Sequence, residues 1–221
     1  MVHLHFHRTH RVETFPTYNP RELDTWCQAV PNEQRNRRKA ATRINECIKE
    51  LQHTPASKRT FISLDLAGLK LSDINWGEDV YQQLNVLPNL FLQNNRLTTL
   101  PEEIGLCKKL SQLICDNNPL QSLPEAIIDC RSLQTLNIAN ANLSELPTEI
   151  FELPHLHTLH IEKNKITHID DDFLFGSNMI ELNLDHNLLT TLPKFIQKMG
   201  KDIVSAEHNP IDAESLFSGE Q

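Results

Sequence analysis

The sequence predicts an α/β solenoid: stacked repeats with a parallel sheet, one face of it open, and an N-terminal helical cap. Three observations carry this. One apolar pattern recurs every 23 residues through the middle of the chain. Within each unit, two apolar residues alternate as in a half-buried strand. The segment before the repeats instead spaces its apolar residues as a helix does.

The repeats have apolar residues at positions 1, 4, 6, 11 and 14, usually with Asn at 9. One unit reads Leu87, Leu90, Leu92, Asn95, Leu97 and Leu100, and matching units start at 110, 133, 156 and 179. Two looser units flank them. The first is Phe61, Leu64, Leu66, Leu69, Leu71 and Ile74, followed by a three-residue insertion. The last keeps Val204, Ala206, Asn209 and Ile211, but has Lys201 and Glu214 in apolar slots, a decay that suits a terminal repeat. A single repeat cannot bury its own apolar face, so neighbours must stack. Asn at position 9 can donate and accept, and so can satisfy backbone groups turned inward. Ala141 and Leu69 cannot, so their turns should be loose or satisfied differently. A second apolar set, such as Ile104 with Cys107 and Ile127 with Cys130, should form the convex layer, as should Ile150 with Leu153 and Ile196 with Met199.

This pattern, over about residues 61–214, resembles the leucine-rich-repeat family. The recurring Leu-Pro at 100–101, 123–124, 146–147 and 192–193 is similar to its short bacterial class. The resemblance implies a horseshoe that binds proteins. Some bacterial proteins of this class place a helical cap and such repeats before a ubiquitin-ligase domain. They are injected into host cells, where the repeats select the substrate. Here the repeats fade near residue 214, so ligase activity is not carried over. What the resemblance implies is an effector, secreted without a classical signal peptide, that grips a host protein.

Ahead of the repeat domain, residues 57–221, lie two further segments. Residues 1–19 read as a polar arm. Its His3, His5, His7 and His10 have metal-binding chemistry, but a plain polar arm is the simpler reading. No metal site and no cofactor is predicted. Residues 20–56 read as a helical cap over the open edge of the first repeat. One helix, Pro20 to Val30, places Leu23, Trp26, Cys27 and Val30 on one face. A second, capped by Asn32, runs to about His53 with Ala40, Ile44, Cys47, Ile48 and Leu51 as its stripe. Its basic residues Arg35, Arg37, Arg38, Lys39 and Arg43 suit a solvated face over an acidic array, or contact with an anionic membrane surface.

Charge supports this division. Residues 1–60 hold 11 Lys/Arg against 6 Asp/Glu, whereas residues 61–221 hold 10 against 23. An array this acidic repels phosphate backbones, so nucleic acid is not an expected partner. No run of 18 apolar residues exists, so no membrane span is expected. Five cysteines without a close CxxC pair fit reduced thiols in a cytoplasmic-type environment, and Cys107, Cys115 and Cys130 fall on core positions. GxSxG, Walker, HExxH and dinucleotide-glycine motifs are missing, so no enzyme is expected.

Positions 3, 5, 7 and 8 should face out from the concave sheet. They make the candidate partner surface Asp65, Phe91, Gln93, Ile114, Asp116, Asn137, His160, Glu162, Asn183, Asp185, His186, Glu207 and His208. Phe91 and Ile114 stand in adjacent units as an apolar anchor. The acids and histidines of the later units suit a Lys/Arg-rich segment, with pH dependence from the imidazoles. A metal held by His160, Glu162 and His186 is conceivable, but it would be solvent-open and lack supporting groups. A scaffold that self-associates through the same face or the edge strand is the alternative, and the oligomeric state is open.

Overall fold

A computed structural model describes residues 21–147, 150–151, 153–170 and 178–212. Seven strands form one parallel sheet in sequence order. They are β1 (Ser63–Asp65), β2 (Asn89–Phe91), β3 (Gln112–Ile114), β4 (Thr135–Asn137), β5 (Thr158–His160), β6 (Glu181–Asn183) and β7 (Val204–Ser205). The register never slips: Leu90 pairs with Leu113, Leu113 with Leu136, and Leu136 with Leu159. Position 4 therefore forms one buried row, and positions 3 and 5 point to the opposite, concave side.

A ladder of buried asparagines lies beneath the strand exits. Asn118 accepts the Leu97 N–H at 3.0 Å and donates to the Leu92 and Cys115 carbonyls at 3.0 and 2.9 Å. Asn95, Asn164, Asn187 and Asn209 repeat the arrangement with their own neighbours. Each side chain replaces water for groups on two repeats. At Ala141 the ladder breaks. The Leu120 N–H, which an Asn there would receive, turns instead to the Asn118 carbonyl at 2.8 Å. Leu69, in the first repeat, has no preceding repeat to serve and is simply buried.

Proline changes the rungs in a second way. Position 10 donates its N–H to the previous repeat in Arg96→Leu71, Asn142→Leu120, Lys165→Leu143 and Leu188→Ile166. Pro119 and Pro210 have no N–H to give. In those repeats the rung moves two residues on, to Gln121→Thr98 and Asp212→Thr190. The prolines after position 14 act differently. Pro101, Pro124 and Pro193 hold extended backbone and start the convex turns, their carbonyls accepting from Ile104, Ile127 and Gln197. Two of these turns are short 3-10 helices and the last is the α-helix Lys194–Met199, placing Ile104, Ile127 and Ile196 in the core.

The three-residue insertion after the first repeat builds a further helix, Glu78–Gln83, which the sequence pattern did not reveal. It begins at Gly77, whose φ is +91°, and a Cβ there would lie 2.1 Å from the Glu22 carboxylate. Burial raises the pKa of that carboxyl, with Asp79 adding to the effect, while the backbone N–H groups of Asp79 and Val80 oppose it. Trp76 stacks on Tyr81 at 5.2 Å and meets Trp26 edge-on at 6.4 Å.

Trp26 belongs to the cap. Helix α1 spans Arg21–Ala29 and α2 spans Gln34–His53. The face of α2 with Ala40, Ile44, Cys47, Ile48 and Leu51 is buried and packs beside β1. In a parallel strand Asp65 turns its carbonyl to the unpaired edge. Arg43 donates to it at 2.8 Å, so the cap satisfies edge backbone as well as covering apolar surface.

Three expectations need correction. Phe61 was placed on a core position but is 91% exposed, because the chain leaves a 3-10 turn there and Ile62 takes the inward place. Asn32 does not cap α2: it lies in the 3-10 turn Pro31–Glu33, and Glu33 holds the cap position. Arg37 is not a solvated basic residue but fully buried. Its guanidinium donates to the Trp26 carbonyl at 2.9 Å, bonds to Asp73, and lies 3.4 Å from Glu33 and 4.7 Å above the Trp26 ring. It joins α1, α2 and the first repeat in one network.

All five cysteines are free and buried. Burial pushes the thiols of Cys47 and Cys130 up to about 12, and those of Cys107 and Cys115 higher still. Since the thiolate is the reactive form, these side chains act as packing groups.

Ala141→Asn should raise the free energy of urea unfolding by about 1 kcal/mol by restoring the missing rung, and Asn118→Ala should lower it by about 2–3 kcal/mol by orphaning buried groups. Arg37→Met should cost about 3 kcal/mol by leaving Asp73 and Glu33 without their cation; an unchanged melting profile would refute the network's role. A thiol reagent at pH 8 should modify the native chain slowly and the urea-unfolded chain at all five cysteines at once.

Candidate binding surface

The concave residues do not share one role. At position 5, short polar side chains brace their own strand exits. Asp65 Oδ1 accepts from the Ala67 N–H at 2.9 Å, Asn137 from Ala139 at 3.0 Å and Asn183 from Asp185 at 3.0 Å. Phe91 and Ile114 have no such role. They stand directly opposite one another across β2 and β3, and both are half-buried rather than fully exposed as the sequence suggested.

Position 7 carries most of the acids. Asp116 is partly buried, and this desolvation raises its carboxyl pKa; its own backbone N–H and the Asn117 side chain pull the other way. Asn117 bonds to Asp116, and Asn140 donates to Asn117 at 2.7 Å. Asp185 Oδ1 accepts from Ser205 Oγ and from the Glu207 N–H, both at 2.7 Å, tying the last repeat to the one before. Glu162 Oε2 and Gln93 Oε1 are shut from solvent with no hydrogen-bond partner, as is Nδ1 of His157 at the strand entry. His160 Nε2 lies 3.1 Å from Glu181 Oε1, within ion-pair range but not aligned as a hydrogen bond.

Position 8 is governed by backbone shape. Gly68, Asn94, Asn117, Asn140, Lys163, His186 and His208 all have φ between 51° and 68°. Glycine and asparagine adopt this readily, whereas Lys and His do so at some cost. His186 and His208 stack face to face with centroids 4.1 Å apart. The sequence pattern showed the position but not the twist it imposes.

Other candidate groups separate from this surface. Arg35, Arg38 and Lys39 are exposed on the cap, while Arg37 and Arg43 are occupied as described. An open depression of about 460 Å³ beside α1 is walled by Trp26, Trp76, Glu22 and Arg37, the groups that build the cap. Among the described residues, the exposed large apolar ones apart from Phe61 are Ile180 and Leu188, neither of which had been singled out. Among the described residues, no three His, Cys, Asp or Glu side chains are grouped to hold a metal ion, so His160, Glu162 and His186 do not form such a site. His3, His5, His7 and His10 lie outside the described residues. Among the described residues, no helix is long and apolar enough to cross a membrane.

The Leucine rich repeat family model matches residues 131–189 and 154–201. A comparison with curated proteins finds no match. Among solved structures, a leucine-rich-repeat protein of Leptospira interrogans aligns with 33% identity and a TM-score of 0.57, over 63% of this chain and 35% of its own. The leucine-rich-repeat domain of APL1B aligns at 26% identity and a TM-score of 0.58, over 71% and 45%. YopM from Yersinia enterocolitica aligns at 22% identity and a TM-score of 0.54, over 86% and 41%, a likeness of fold alone. This chain thus spans about a third to under a half of the lengths of these proteins. With an open parallel sheet, one strand per repeat and an asparagine ladder beneath it, the chain has the leucine-rich-repeat solenoid fold.

Proposed function

We propose that this chain is a protein-binding module that holds its partner on the concave sheet and acts by binding rather than by catalysis. One observation carries the reading. Phe91 and Ile114 present adjoining apolar surface on a strand face where their own fold gives them no polar duty. Half-buried anchors on a rigid, curved sheet are what protein interfaces use as hot spots. The residues around them are polar and would form the rim.

The partner is a host protein, and the chain is a bacterial effector that works in the reducing interior of a host cell. The Leu-Pro repeats support this, as does the similarity to a bacterial leucine-rich-repeat protein. Five buried free thiols suit a reducing compartment. A membrane-surface role gains nothing from the geometry, because two of the five basic residues on the cap helix are already engaged.

The test is affinity capture from eukaryotic lysate with wild type and with a Phe91→Ala, Ile114→Ser variant whose circular dichroism and melting profile match wild type. A partner identified with wild type should bind the variant at least about tenfold more weakly. Equal capture by both proteins would move the binding site off the concave face.

A further inference from the structure

The concave face has a second property, and it concerns what kind of partner fits. Across the seven repeats, positions 3, 5 and 7 contain no Lys or Arg. They contain Asp65, Asp116, Glu162, Glu181, Asp185 and Glu207. Of the basic residues of the repeat region, Lys163 at position 8 is the one on an outward position, and others such as Lys108, Lys165 and Lys194 lie off the face. Among the described residues, Asp116, Glu162, Asp185 and Glu207 make no ion pair with Lys or Arg. On the outer faces such pairs do form, as between Lys108 and Asp129 at 3.4 Å.

These carboxylates are ordered along the sheet. Glu162, Asp185 and Glu207 hold position 7 in three successive repeats. The apolar pair lies on β2 and β3, toward the cap. Glu162 Oε2 is closed off from solvent yet accepts no hydrogen bond, which leaves an occluded acceptor without its donor. Gln93 Oε1, beside the apolar pair, is a second acceptor in the same condition.

We infer that the partner enters this face as an extended segment with one large apolar residue seated on Phe91 and Ile114 and Lys or Arg side chains laid over Glu162, Asp185 and Glu207. The inference rests on the concave-face reading and adds the chemistry of the occupant. The spacing follows from the sheet. Strands lie about 4.8 Å apart, so β5, β6 and β7, which lead to Glu162, Asp185 and Glu207, are about 10, 14 and 19 Å from β3. An extended chain rises about 3.3 Å per residue, so the apolar residue and the cations stand about three to six residues apart. An acidic or neutral segment would leave Glu162 Oε2 shut from solvent and without a donor. A cationic one supplies the donor, and charge-assisted bonds there fix the direction in which the segment lies.

The probe is a displayed library of random dodecapeptides selected on the full chain. Enriched peptides are then synthesised and titrated by fluorescence anisotropy at low and high salt. The expected result is enrichment of an apolar residue with Lys or Arg about three to six positions away. Binding should weaken at least tenfold in Ile114→Ser and in Glu162→Gln, Glu207→Gln, and should weaken with salt. Asp185 is kept in these variants because it ties Ser205 and Glu207 of the last repeat to the repeat before. Peptides lost in Ile114→Ser but free of basic residues and indifferent to salt would overturn the cationic occupant while the concave reading stands. Peptides that bind all variants alike would overturn both. No enrichment at all would overturn the extended segment and leave the concave reading to the capture experiment.

Discussion

The buried asparagine at the strand exit is the interaction on which the rest depends. A solenoid of short repeats turns its backbone inward once per repeat, and that turn brings N–H and C=O groups into an apolar interior. Left unpaired, each group costs about 1–3 kcal/mol, a large share of the stability a repeat array has available. One side chain with both a donor and an acceptor satisfies groups on two repeats and sets their spacing. Asn118 shows the full arrangement, spanning Leu97, Leu92 and Cys115. The register of the sheet follows, because the same three strand residues are brought opposite each other in every repeat.

Seen from this ladder, the departures make physical sense. Ala141 breaks the donor chain, and Leu120 finds a local carbonyl instead. Pro119 and Pro210 remove a rung, and the next available N–H, two residues on, makes one. At the N-terminal edge no preceding repeat exists, so the cap supplies the partner by sending Arg43 to the Asp65 carbonyl. Arg37 sits deeper, where it links both cap helices to Ser72 and Asp73. A buried guanidinium is tolerable there because a carboxylate, a carbonyl and an aromatic face surround it.

Much of this was legible in the sequence, and what was not has identifiable causes. The repeat period, the strand face and the asparagine role are set by local pattern, so they could be read directly. Phe61 and Arg37 could not, because their fates depend on contacts between distant segments. A periodic pattern assigns Phe61 inward, but the 3-10 turn before β1 rotates the chain by one residue. Nothing in a run of arginines says which one meets Trp26 and Asp73. The helix in the inserted loop was hidden for a similar reason: six residues are too few for a periodic signal, and it forms only against Trp26, Trp76 and Glu22. On the concave face, the outward residues were identifiable by position. Their division into bracing groups such as Asn137 and free groups such as Ile114 required hydrogen bonds that sequence does not show.

That division explains how a small sheet of short strands can serve as a binding surface. The bracing side chains spend their polar atoms on their own turns, so they hold the backbone still and offer a partner little. The side chains of the apolar pair, Glu162 and Glu207 carry no such brace, and Asp185 commits only its Oδ1 to the last repeat, yet all stand on the same braced strands. A partner that meets them loses little of their freedom on binding, since the scaffold has already fixed where they stand. Desolvated acceptors such as Glu162 Oε2 sharpen the choice further, because a segment that brings no donor leaves them unpaired. Rigidity beneath the sheet and unmet polar demand above it therefore act together. The first makes binding possible at small area, and the second makes it selective.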